Sequence, residues 1–135
     1  MQDRPTYDEL LAALERFLDE EIVAHAEGAR RFHARVAANT VRILRRELEQ
    51  AEEQLDREWA GLDALLGTAA RPATLRALRD AIATRTAELC ERVRAGDGDA
   101  PPFRDAVLAH VRQTVRDKLL VTNPAWLGEP DAEET

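Results

Sequence analysis

The sequence predicts an all-α protein, an antiparallel bundle of about four helices with a long second helix. Three observations carry that expectation. Ala, Leu, Arg and Glu dominate, while only eleven of the 135 residues are Val or Ile, a balance that favours helix over strand. Apolar residues recur at i, i+3 and i+4 along four segments. Gly, Pro and capping residues fall between those segments, so their connections are short, as in an antiparallel bundle.

The first helix opens at Pro5-Thr6-Tyr7-Asp8-Glu9, where Thr6 and Glu9 have the spacing of a capping box, each accepting from a free backbone N–H of the other. Leu10, Leu11, Leu14, Phe17, Leu18 and Ile22 form its apolar stripe, and it is expected to run almost to Gly28. The second helix starts near Ala29. Its stripe is Phe32, Val36, Thr40, Ile43, Leu44 and Leu48, continuing through Ala51, Leu55, Trp59, Leu62 and Leu66. Unbroken to Gly67, it would be about 38 residues and roughly 57 Å long at 1.5 Å per residue. The Glu49–Gln54 stretch has no large apolar residue, but no Gly or Pro forces a break, so continuity with a bend is expected.

The third helix follows a Thr68–Ala73 loop, carries Leu75, Leu78, Ile82, Leu89 and Val93, and stops at Gly96-Asp97-Gly98-Asp99. Pro101-Pro102 introduce the fourth, with Phe103, Val107, Leu108, Val111, Val115 and Leu119 as its stripe and Asn123-Pro124 as its end. Trp126-Leu127 is expected to fold back as an anchor. Residues 1–127 then make one domain, and 128–135 an acidic, disordered tail.

Bulk properties exclude several functions. A net charge of −7 argues against nucleic acid and anionic membrane as partners. No apolar run approaches the ~18–20 residues of a membrane span. The single Cys90 cannot form an internal disulfide, which fits a reducing compartment and a cytoplasmic location. There is no phosphate-binding Gly loop, no GxSxG, no CxxC and no HExxH. The sequence points to no enzyme, no metal and no cofactor.

Two segments carry polar residues that a plain bundle does not need. In Arg30–Asn39 and its continuation, Arg31, Arg35, Arg42, Arg45 and Arg46 fall within an arc of about 100°, with Asn39 at its edge. Such a row of guanidinium forks suits phosphate or carboxylate, and equally suits a solvated face paired with nearby acids. His33 falls within the apolar arc and is expected to be a core residue. Cys90 is expected at the edge of the core. In Val115–Pro124, Lys118 falls within the fourth helix's apolar arc, and Arg116 and Asp117 are placed to tie that helix to Asn39 or to the arginine row. Arg31, His33, Arg35, Asn39, Arg42, Arg116, Asp117, Lys118 and Asn123 are the candidate ligand- or partner-binding residues.

Those two segments, with the opening Arg4-Pro5-Thr6 and Glu9-Leu10-Leu11, resemble the hallmarks of a small all-helical bacterial domain of uncharacterised function, over residues 3–127. That family is found beside, or fused to, proteins similar to aminoglycoside phosphotransferases, of the kind that phosphorylate hydroxyacyl-CoA. The resemblance implies a non-catalytic accessory subunit of such a kinase, with Trp59 and Trp126 helping to dock it. The charged, continuous Glu49–Glu58 stretch departs from the family, where a Gly/Pro break is expected. Two other readings remain: a stand-alone bundle binding an anionic small molecule such as a CoA thioester at the arginine row, and a homodimer along the second helix through Leu48, Leu55 and Leu62.

Overall fold

The structure, a computed structural model, describes residues 3–128. The fold is all-α. Four main helices follow in chain order: α1 (Tyr7–Phe17), α2 (Gly28–Leu66), α3 (Leu75–Arg94) and α4 (Phe103–Thr122). There is no strand among the described residues. Of the acidic tail expected over 128–135, residues 129–135 lie outside them.

The helix ends follow the sequence signals. Thr6 and Glu9 close the capping box, with Thr6 N donating to Glu9 Oε2 at 2.7 Å and Glu9 N to Thr6 Oγ1 at 3.2 Å. Thr74 caps α3 by accepting from Ala77 N at 3.2 Å. Asn123 leaves helical geometry at the end of α4, and Pro124–Leu127 follow as a short 3-10 turn. α2 is continuous over 39 residues, as a segment without Gly or Pro at Glu49–Gln54 should be. α1 is shorter than expected. From Leu18 to Val23 the chain widens into a π-type turn, in which Ala24 N donates to Asp19 O at 3.2 Å. Apolar spacing cannot distinguish that wider turn from a continuing α-helix.

The chain divides into two compact units, one up to Glu49 and one from Gln50. In the first, α1 and the N-terminal part of α2 are joined by charge. Glu15 is 6% exposed and is the buried residue of α1. Its two carboxylate oxygens accept from Arg42 Nε and Arg45 Nη1, each at 2.7 Å. Asp19 also binds Arg42, and Asp8 binds Arg45 at 3.1 Å. Hydrogen bonding to Glu15 is the largest cause raising the Arg45 pKa above its ordinary value, with Asp8 adding to it. The buried positions of this part of α2 are small: Ala34, Ala38 and Val41.

This reverses the expected orientation. Leu10, Leu14 and Phe17 of α1 are exposed, as are Phe32, Val36, Leu44 and Leu48 of α2. The physical reason is that Glu15 can be buried only against its two guanidiniums. Helices turned to make those pairs present part of their larger apolar residues outward. His33 is exposed with Phe32, whose ring it meets edge-on at 5.6 Å between centroids. It is therefore not a core residue.

The second unit has a conventional apolar core. Trp59, Leu62 and Leu65 of α2 pack with Leu78, Ile82 and Leu89 of α3, and Phe103 and Val107 of α4 lie against them. Leu62 and Leu78 are fully buried. Trp59 is thus a core residue rather than a docking one, and Leu62 is not free to form a dimer seam. Trp126 is 77% exposed and does not anchor the chain end. α4 is also turned from the expected orientation. Its inward row is Phe103, Val107, His110, Thr114, Asp117 and Val121, at alternating four- and three-residue steps, while Leu108, Val111 and Val115 are exposed.

Candidate functional site

The candidate residues separate by unit. In the first, Arg42 lies in the Glu15 and Asp19 cluster and holds the helices together. Arg31, Arg35 and Asn39 are exposed on the same helix. His33 borders an open depression together with Glu21, His25 and Arg30. His25 Nδ1 lies 2.9 Å from Glu21 O, a contact with backbone rather than with the Glu21 carboxylate. The arginine arc therefore divides in function: Arg42 and Arg45 are internal ties, and Arg31 and Arg35 face solvent beside the outward apolar row.

That row has a defined form. Phe32, Val36, Thr40, Leu44 and Leu48 are four residues apart, so they make a continuous ridge about 24 Å long on α2. Phe32 is 64% exposed. Tyr7, Leu10, Leu14 and Phe17 of α1 are also exposed large apolar residues. Residues 3–49 thus leave an unusually large share of their apolar side chains exposed.

In the second unit Asp117 is 5% exposed. It accepts from Arg57 Nη1 and from Gln113 Nε2, the latter at 3.0 Å. Its tie is therefore to Arg57, not to Asn39 or the arginine arc. Asn123 serves as the C-cap of α4, its backbone N–H donating to Leu119 O at 2.8 Å. Arg116 is exposed. Lys118 lines a groove beside α3 whose other lining residues include His110 and Glu58. Cys90 is exposed and opens onto that groove rather than sitting at the core edge.

Two arginines of α3 that are not among the candidate residues, Arg85 and Arg92, help to close this unit. Arg85, 9% exposed, binds Asp63 and donates to the carbonyl oxygens of Leu62 and Gly67. Its guanidinium lies 4.7 Å from the Trp59 ring centroid. Arg92 donates to Leu65 O at 2.9 Å and stands 4.4 Å from the Phe103 ring centroid. The C-terminal end of α2 has no basic residue of its own, so α3 supplies the cations that satisfy its carbonyls. The signal for Arg85 was present: Leu78, Ile82, Arg85 and Leu89 are at core spacing, and a cation at such a position must find buried partners.

Among the described residues there is no group of three His, Cys, Asp or Glu able to hold a metal ion. No helix among them is long and apolar enough to cross a membrane. The His110 pKa is lowered, chiefly by burial and further by the Lys118 charge, against an opposing pull from Glu58. No curated protein and no solved structure matches the chain. A family described as a domain of unknown function, DUF6285, matches residues 24–126, most of the chain and all of α2, α3 and α4, and the protein belongs to that family.

Proposed function

We propose that this chain is a non-catalytic partner subunit, and that the outward apolar surface of residues 3–49 is where its partner docks. The single observation behind this reading is the exposed ridge of Phe32, Val36, Leu44 and Leu48, with Tyr7, Leu10, Leu14 and Phe17 exposed on α1. Hydrophobic side chains of this size gain roughly 1.5–3 kcal/mol each on full transfer from water, and these, about half exposed, keep part of that gain for a partner. A covering partner would collect that gain. The family resemblance supplies the kind of partner, a phosphotransferase-like kinase of the hydroxyacyl-CoA type. Arg31 and Arg35, exposed beside the ridge, suit an acidic rim on it. Arg42, engaged with Glu15 and Asp19, serves the hairpin instead. That division favours the partner reading over a CoA-thioester site built on the whole arginine row.

The test is co-expression with a phosphotransferase-like kinase of the hydroxyacyl-CoA type from the same genome, the partner that the resemblance implies, followed by the mass of the eluting species. The expected result is a stable heteromer that Phe32→Asp with Val36→Asp dissociates while leaving the helix content of this chain unchanged. Separate elution, with kinase activity unaffected by this chain, would overturn the proposal. A mass of two copies of this chain alone, lost in the same variant, would assign the ridge to a homodimer instead.

A further inference from the structure

A groove in the second unit is left unused by the partner reading. It opens between α3 and α4, with Glu58 of α2 at its side, and has a volume of about 480 Å³. That lies within the ~300–1,000 Å³ of small-molecule sites. Its walls are aliphatic: Leu89 and Val93 from α3, and Val107, Val111 and Val115 from α4. Val93, Val111 and Val115 are 40%, 45% and 48% exposed, so the lining is in contact with water.

The polar groups are few and unevenly placed. Val107, Val111, Val115 and Lys118 follow one another at steps of four, four and three residues, an apolar stripe about 16 Å long that ends in an ammonium. Arg94 also borders the groove but is paired with Glu91. Lys118 makes no ion pair among the described residues. Burial lowers the His110 pKa, against an opposing pull from Glu58, so its imidazole is a weaker cation than the Lys118 ammonium. Glu58 repels additional negative charge. One free ammonium, one nearby carboxylate and no free guanidinium fork suit a single negative charge and disfavour a phosphate.

We propose that this groove binds a medium-chain aliphatic monocarboxylate, with the chain along the valine stripe and the carboxylate against Lys118. The site is independent of the docking ridge, which is built from residues of the other unit. The thiol of Cys90 lines the same groove and reports on its occupancy, being the only cysteine of the chain.

The experiment titrates the full chain with hexanoate, octanoate and decanoate. It reads binding by calorimetry and by the rate at which a thiol reagent modifies Cys90. Bound carboxylate should slow that reaction at saturation. Affinity should rise about fourfold for each methylene added. Octylamine and octyl phosphate should bind at least tenfold more weakly than octanoate. Lys118→Met should weaken octanoate at least tenfold while leaving octanol binding unchanged, which a merely structural role of Lys118 would not produce. Absence of saturable binding by decanoate in its monomeric range would overturn the proposal. So would equal binding of octylamine and octanoate, or octanoate binding unaffected by Lys118→Met. Protection of Cys90 by a protein partner but not by any carboxylate would also overturn it, making the groove a protein-docking surface.

Discussion

Gly61 of α2 lies against the His110 ring of α4, so closely that a methyl group added at position 61 would come within 2.9 Å of Cε1 and nearer still to Nδ1. Position 61 has ordinary helical geometry, so its glycine is needed for space and not for backbone freedom. Gly61→Ala should therefore destabilise the protein by about 1–3 kcal/mol despite alanine's better helix propensity. In a His110→Ala background the obstruction is gone, and the same change should stabilise by up to about 1 kcal/mol. Denaturant unfolding of the four proteins checks the reversal of sign. Additive effects would mean that the two residues do not touch.

The same histidine sets a pH dependence. Its folded pKa lies below the ordinary 6.5, because burial and the Lys118 charge disfavour the imidazolium. As the pH falls below that value, the unfolded chain takes a proton that the folded chain refuses. The contribution is thus complete above pH 6.5 and is lost as the pH falls through the folded pKa. Stability should decline on acidification from neutrality, and the decline should be shallower in His110→Gln. The difference between the two proteins in unfolding midpoint, followed from pH 8 to pH 5, isolates this group from the other histidines. A parallel decline in both would exclude it.

Helix ends were legible in the sequence because capping is local. Thr6 with Glu9, Thr74 and Asn123-Pro124 each act within a few residues, and each marks an observed boundary. The inward faces were less legible, because apolar spacing assumes that the larger hydrophobic residues point inward. In α1 and the start of α2 the buried pair geometry of Glu15 with Arg42 and Arg45 sets the rotation instead. In α4, Asp117 does the same through Arg57. Phe103, Val107, His110, Thr114, Asp117 and Val121 form an unbroken four-three repeat, but half of them are polar, so Leu108, Val111 and Val115 appear as the stronger stripe. The Lys118 groove follows from that rotation, since it exposes the valines that line it. The separation of Arg31, Arg35 and Asn39 from Asp117 and Asn123 into different units depends on contacts far apart in sequence, which no local pattern reports.

Glu15 should be the most sensitive charged position of the first unit. Removing it leaves Arg42 and Arg45, each 25% exposed, without their shared acceptor. A fully buried pair broken on one side costs ~3–5 kcal/mol, and partial exposure of both guanidiniums reduces this to about 2–3 kcal/mol for Glu15→Ala. Asp8→Ala should cost less than ~1 kcal/mol, because the Asp8 side chain is 59% exposed and its pair with Arg45 is screened by water. Thermal unfolding of the two variants in low and high salt checks both. Salt should weaken the Asp8 contribution and leave that of Glu15 nearly unchanged.

Arg85 tests whether the cations of α3 act by geometry or by charge alone. Its guanidinium binds Asp63, donates to the Leu62 and Gly67 carbonyl oxygens and faces the Trp59 ring. A lysine ammonium keeps the charge but cannot span those partners with one planar fork. The bond to the buried Leu62 carbonyl costs about 1–3 kcal/mol when lost, and those to the less buried Asp63 and Gly67 add to it. Arg85→Lys should therefore destabilise by about 2–4 kcal/mol, and Arg85→Met by a similar amount. The Asp63 pKa, held below its usual 3.8 chiefly by hydrogen bonding from Arg85, should rise toward it in Arg85→Met. A depressed pKa adds stability above the unfolded value that is lost as the pH falls through the folded one, so the variant should lose less stability on strong acidification than the parent. Unfolding of the three proteins from pH 5 to pH 2 measures both effects. If Arg85→Lys were as stable as the parent, point charge would suffice, and the carbonyl-capping role of Arg85 at the end of α2 would be discarded.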